Sequence, residues 1–349
     1  MSTPRRAALA LSALLLLPLA AAPAGASASV VAALPSPRFS TAAAWDGSSA
    51  YVFGGQIIIG SSSTTLNEIV RYTPSSGSVT TLAATLPMAN WEAAAVWAGG
   101  NAYVLGGRNA GGSSLNSIVR FTPSTGAVTT LSATLPHRTG GASAVWTGSS
   151  VFLFGGWDVG GSGMLSGIVR FTPSTGAVST MAATLPSGRT YTTAAWDGRS
   201  LPQIGCSGGC AYVFGGYNGN PLRDIVRYNP ATDTATVLST VLPLNLHSGS
   251  AVWDSNLNLA YILGGCLDNG CTTSPFNGLP TSTSPSQYVL AVDPLAGVST
   301  VLPSPLPDGV RETSAVWTGS EALLFGGISF TSTSPYFEYQ THITQYSPP

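Results

Sequence analysis

The chain has 349 residues, with 13 arginines, 14 acidic residues, three histidines, a formal net charge of −1 and no lysine. Only 8% of residues are charged, and the arginines are scattered rather than clustered. That leaves no basic tract to release counterions from phosphates, which excludes nucleic acid and anionic membrane surfaces as partners.

At the start, Arg5-Arg6 precedes an apolar run from Ala7 to Ala22, broken by Pro18, and then small residues suited to cleavage after Ala26 or Ala28. This pattern predicts a secretory signal peptide over residues 1–28. The run is too short and alanine-rich for a membrane span, and no later segment approaches about 18 consecutive apolar residues. The mature chain, 29–349, is therefore expected to be soluble, monomeric, and secreted or periplasmic. Ala7-Ala8-Leu9 lacks the bulky apolar pair that twin-arginine export would need, which favours the general secretory route.

From residue 42 onward one unit recurs about every 50 residues. Small residues end in a tryptophan, as in Ala42-Ala43-Ala44-Trp45, and the residue two before that tryptophan is alanine in every copy (Ala43, Ala95, Ala144, Ala194, Ala251, Ala315). A second run, such as Val151-Phe152-Leu153-Phe154, closes on Gly-Gly, at Gly54-Gly55, Gly106-Gly107, Gly155-Gly156, Gly215-Gly216, Gly264-Gly265 and Gly326-Gly327. A third run follows a variable loop, as in Ile118-Val119-Arg120-Phe121, and a fourth ends in Leu-Pro. Four short β-rich runs separated by Gly/Pro punctuation predict a four-stranded antiparallel meander. Small residues on the first strand and aromatics on later ones make each meander a wedge. Six wedges predict an all-β, six-bladed β-propeller with one cooperative domain. The last copy ends at its third strand, Ile343 to Tyr346. Val30 to Pro35 resembles a fourth strand, so the N-terminal strand is expected to close the last blade.

Gly-Gly after the second strand, an aromatic and a turn after the third, and the period near 50 resemble the kelch repeat over the whole mature chain. The kelch pattern usually carries a tryptophan in the fourth strand, where this chain has Val79, Val128, Val178 and Ala235; its own tryptophan ends the first strand instead. The Trp-Asp dipeptides at Trp45, Trp196 and Trp253 precede the second strand, which argues against WD40 repeats.

Four cysteines form two close pairs, Cys206/Cys210 and Cys266/Cys271. In an exported chain each pair is expected to be a local disulfide. The strand order puts the pairs on opposite faces, against a shared metal site. No metal or other cofactor is expected.

Most long loops fall on the face that bears the Gly-Gly pairs, called the top, and loops on a rigid scaffold carry function. Residues expected around the channel mouth there include Arg38, Asn90, Glu92, Tyr191 and Glu312, with Asp158 and Asn218 just past Gly-Gly pairs. Trp91 and Trp157 are the two of eight tryptophans outside the repeated position. With Arg108, His137 and Arg138 they compose a candidate ligand patch, extended by Arg189, Tyr217, His247 and Arg311. Indole faces beside guanidinium groups suit an extracellular carbohydrate carrying a carboxylate, or an acidic peptide. Kelch propellers that bind acidic peptides use arginines in these loops, which the resemblance carries to Arg108 and Arg138. Alternatively, arginines at the start of the inner strand satisfy carbonyls at the blade edge. Arg71, Arg120, Arg170 and Arg227 recur in the third strand and are assigned to the scaffold.

With no nucleophile–base motif and no metal-ligand spacing, the chain is expected to be a binding or interaction module without catalysis. The alternative is a carbohydrate-active enzyme. Galactose-oxidase-like proteins need copper on two histidines and two tyrosines, for which His137, His247, Tyr191, Tyr217 and Cys266 supply the residue types. Exported sialic acid epimerases resemble the chain in size and blade number and need an acid/base glutamate beside an arginine in the channel. Glu92 and Glu312 are the nearest candidates.

Overall fold

The structure is a computed structural model that describes residues 25–59, 62–266, 286–303, 305–330 and 337–349. Among these the chain is almost entirely β, with a single 3-10 turn at Pro202–Ile204. No helix of the described residues is long and apolar enough to cross a membrane.

Ala42–Trp45, Ala50–Phe53, Glu68–Thr73 and Ser78–Thr85 make the first antiparallel sheet in that spatial order. The same order recurs in sheets whose first strands are Ala94–Ala98, Ser143–Trp146, Thr193–Trp196 and Ser250–Asp254. In the sixth four-stranded sheet, Ser314–Trp317, Ala322–Phe325 and His342–Ser347 are followed at the outer edge by Ser27–Ala33, from the other end of the chain. Ser27 pairs with Ser347 and Ala33 with His342, with a register shift between Val30 and Ala32.

Second strands are buried on both faces, as their continuous apolar runs dictate. The outermost strands alternate exposed and half-buried residues. Every hydrophobic core lies between two sheets. Val52, Val70 and Tyr72 of the first sheet pack with Val316, Leu323 and Phe325 of the last. The opposite face of the first sheet packs its Tyr51 and Phe53 with Val104 and Phe121 of the second. The tryptophan that ends each first strand now has a reason to recur: Trp97 stacks on Tyr51 of the preceding sheet at 5.9 Å, and Trp253 stacks on Tyr212 in the same way. The Trp-Asp dipeptides are turn caps. Asp46 accepts the amides of Ser48 and Ser49 and the Tyr51 hydroxyl.

The Gly-Gly pairs are the joints between sheets. Gly55 donates its amide to the Asn90 carbonyl of the next sheet, and five equivalent bonds follow, the last from Gly327 to Arg38, where the sixth sheet meets the first. Gly54 and Gly326 sit at φ 57° and 60°, and a Cβ on either would collide with the carbonyl of Asn90 or Arg38 respectively. A side chain is barred there by backbone conformation and by space together.

Cys206 and Cys210 form a disulfide, fully buried between the fourth and fifth sheets. Cys266 is also fully buried, and Cys271, the partner expected for it, lies outside the described residues. Several of the long loops after Gly-Gly carry small antiparallel strand pairs: Gln56–Ile59 with Ser62–Thr65, Trp157–Asp158 with Gly163–Met164, and Ile328–Phe330 with Phe337–Tyr339. Such pairing satisfies the loop backbones without outside partners.

Candidate functional site

Five residues before each repeated tryptophan the chain turns into the left-handed region. Ser40, Glu92, Gly141, Tyr191, Ser248 and Glu312 have φ between 51° and 66°. Five of the six carry side chains there, at roughly 1–2 kcal/mol each. Each donates its amide to the carbonyl of the preceding member, and Ser40 donates to Glu312, giving a closed cycle of hydrogen bonds of 2.7–3.0 Å. These six and the residues that follow them line a cavity of about 80 Å³. Backbone strain gathered around a cavity points to function.

Two carboxylates and no arginine or histidine belong to the cavity lining. Glu92 is buried; its Oε1 accepts the Tyr191 hydroxyl at 2.7 Å, and its Oε2 lies 2.8 Å from Arg108 Nε. The latter contact is an ion pair rather than an aligned hydrogen bond. Desolvation pushes the Glu92 carboxyl up to about 7, against the pull of Arg108 and Tyr191, and the charge of Glu312 adds to the rise. The Tyr191 hydroxyl is raised well above the usual range by burial and by the same two carboxylates. Across the cavity wall, Ser40 Oγ donates to Glu312 Oε2 at 2.6 Å, and Arg311 Nη1 stands 3.8 Å from Glu312 Oε1.

A second tier surrounds this one. The residue before each left-handed position bridges to the residue after a Gly-Gly pair: Phe39 to Gln56, Trp91 to Arg108, Gly140 to Trp157, Thr190 to Tyr217, His247 to Cys266 and Arg311 to Ile328. The variable residues are thereby fixed to the scaffold through backbone pairs. Arg108 places its guanidinium 5.1 Å from the Trp91 ring and 5.0 Å from the Trp157 ring, between the two indoles. Trp91 Nε1 donates to the Asn109 carbonyl, and Ser114 Oγ holds the Trp157 carbonyl at 2.8 Å. His247 is buried beside Ser248, with Nδ1 2.9 Å from Oγ, and its ring is 5.4 Å from that of Tyr217.

The candidate residues thus divide. Trp91, Arg108 and Trp157 form one stack; Tyr217 and His247 a second group; Arg311 is buried against Glu312 and the Phe337 ring. His137 and Arg138 are exposed outside both tiers. Arg189 makes two bonds to Asp224, at 2.7 and 2.9 Å, and one to the Gly215 carbonyl, while Arg38 pairs with Glu68 at 2.7 Å. Arg189 therefore satisfies a carbonyl at a sheet joint, the structural role weighed for it from sequence. Ser40, Gly141 and Ser248 escaped the sequence reading. Their fixed offset from the tryptophan was the available signal, hidden because a serine, a glycine, a tyrosine and a glutamate share no chemistry.

An all-β chain of repeated four-stranded antiparallel sheets, joined through Gly-Gly pairs and carrying its variable residues at one end, is the architecture of a repeat-built interaction scaffold. The family model for the KLHDC2/KLHL20/DRC7 Kelch-repeats domain matches residues 39–265, and the chain belongs to the kelch-repeat family. No curated protein matches it.

Proposed function

We propose that the chain is an exported, monomeric kelch-repeat propeller of six blades whose Gly-Gly face binds a protein or peptide partner. Kelch-repeat domains bind protein partners. The ring reading is supported by the two cycles of hydrogen bonds and by the core shared between the first and last sheets. Pairing of the N-terminal strand with the last sheet supports its role as the closing strand. Export rests on the N-terminal sequence and agrees with a buried disulfide.

The Trp91–Arg108–Trp157 stack carries the binding reading. Two large, half-buried aromatic surfaces are held rigid by backbone bridges and by the cation between them. Rigid aromatic anchors are the side chains that dominate interfaces. Exposed Met88 and Ile59 add apolar surface at the same end of the sheets. The ligand charge favoured by this arrangement differs from the sequence expectation. Arg108 and Arg189 are already paired with carboxylates, and Glu92 is spent on Arg108, so Glu312, which stands 3.8 Å from Arg311, is the charged group of the cavity lining that favours a basic rather than an acidic group of the partner at its mouth. A cavity of about 80 Å³ is also well below the roughly 300–1,000 Å³ of small-molecule pockets, which weighs against a whole sugar ring within it.

The test is a paired peptide and glycan array probed with the wild-type chain and with Trp91→Ala and Trp157→Ala. Binding to peptides, biased toward basic ones and weakened at least about tenfold by either substitution, is expected. Binding to glycans alone, or unchanged peptide binding by both variants, overturns the reading. One observation favours a second function: Glu92, raised to about 7 beside Arg108, has the character of an acid/base group. A carbohydrate mutarotation assay that shows turnover lost in Glu92→Gln would establish this enzymatic alternative.

A further inference from the structure

Two overlapping small-x-small triplets lie where the first strand begins: Ala24-Gly25-Ala26 ahead of it and Ala26-Ser27-Ala28 running into it. Either satisfies an export peptidase, so the sequence leaves the cut after Ala26 or after Ala28 equally open. The fold distinguishes them. The strand that completes the sixth sheet begins at Ser27, and its first two rungs are Ser27 with Ser347 and Ala28 with Tyr346. Ala28 also packs against the core shared by the fifth and sixth sheets, which contains Tyr346, Tyr261 and Leu324. A cut after Ala28 would remove both rungs and that packing from the outer edge of the last sheet. A cut after Ala26 removes neither, and Ala26 is followed at once by the first paired residue.

We infer that the processing site is the Ala26–Ser27 bond, so that the mature chain begins with the first residue of the closing strand. This inference rests on the proposed export of the chain. The reaction is hydrolysis by a membrane-bound signal peptidase. The C–N bond between Ala26 and Ser27 breaks, water supplies the hydroxyl that makes Ala26 a carboxylate, and the nitrogen leaves as the α-ammonium of Ser27. The same two residues thus serve twice, as the primed side of the cleavage site and as the end of a β-ladder. A register shift between Val30 and Ala32 sets the four outer rungs, from Ser27 to Val30, apart from the two inner ones, so a cut after Ala28 would remove half of that outer group.

The test is N-terminal sequencing and intact mass of the full chain expressed in an exporting bacterial host, together with thermal unfolding of chains expressed from Ser27 and from Ser29. A mature chain starting at Ser27, and a melting temperature several degrees lower for the chain starting at Ser29, are expected. A mature chain that starts at Ser29 overturns the site while leaving export intact, and equal melting temperatures for the two overturn the structural reason given for it. An uncut chain retained in the cytoplasm overturns the export reading itself. An Ala26→Pro substitution supplies a check on the site that does not depend on stability. It should block the cut after Ala26, so the wild-type fragment disappears; if a Ser27 start persists, the assignment fails.

Discussion

Glu92 and Arg108 meet at 2.8 Å with their charges turned in opposite directions: the carboxylate borders the central cavity and the guanidinium lies between the indoles of Trp91 and Trp157. The pair couples the two tiers of the site. What happens to the charge of one tier is felt in the packing of the other.

Replacing Arg108 by methionine keeps much of the bulk between the indoles but leaves a buried carboxylate without its cation. Breaking one partner of a buried pair costs about 3–5 kcal/mol. Arg108→Met is expected to lose stability in that range by denaturant unfolding at pH 8. The double variant with Glu92→Gln should regain a measurable part, because the stranded charge is gone. Additive losses would show that the two side chains act independently.

The raised Glu92 carboxyl makes stability depend on pH with a definite sign. Its folded value is about 7 and its ordinary value 4.5, so between these limits the folded chain binds the proton more strongly than the unfolded one. The contribution is fully present below about pH 4.5 and is lost as pH rises through 7. By the usual 1.36 kcal/mol per unit, the change is on the order of 3 kcal/mol. Glu92→Gln should flatten this slope in thermal melts taken from pH 5 to 8. A parallel slope in the variant would assign the pH dependence to other groups.

Gly326→Ala tests the joint between the last sheet and the first. The new methyl group would strike the Arg38 carbonyl at a backbone φ of 60°. A loss of at least about 2 kcal/mol is expected, since strain and overpacking act together. Gly77→Ala is the control, at φ 66° with no atom within 4 Å of the added group. It carries the conformational penalty alone and should lose about 1 kcal/mol.

The disulfide at Cys206 and Cys210 closes a loop with a sequence separation of 4. For so short a loop the chain-entropy account gives about 2 kcal/mol. The Cys206→Ala/Cys210→Ala variant should unfold at correspondingly lower denaturant concentration, and reducing agent should affect the wild-type chain more than this variant.

Much of the fold was legible because its causes are local or periodic. Alanine before the tryptophan, Gly-Gly after the second strand and the turn after the third each answer a constraint repeated in every sheet. The N-terminal strand could be paired with the last sheet because Val30 to Pro35 resembles the fourth strands of the other copies. The site was less legible for a physical reason. An arginine advertises its charge in a sequence, but its partner does not: Asp224 meets Arg189 across 35 residues, and Tyr191 meets Glu92 across 99. Arg108 and Arg189 therefore read as free cations when both are neutralised internally. The left-handed turn at Ser40, Gly141 and Ser248 depends on a position in the repeat rather than on residue type.

The cavity wall takes one turn from each repeat, and no two of the six left-handed residues are near neighbours along the chain. Ser40 and Glu312, which touch through their side chains, are 272 residues apart in sequence. No fragment of the polypeptide can assemble this surface in advance, because its elements come together only when the first and last sheets meet. On the proposed function, recognition at the cavity would be withheld from truncated or partly folded chains: a partner that contacts its whole wall would detect a finished molecule.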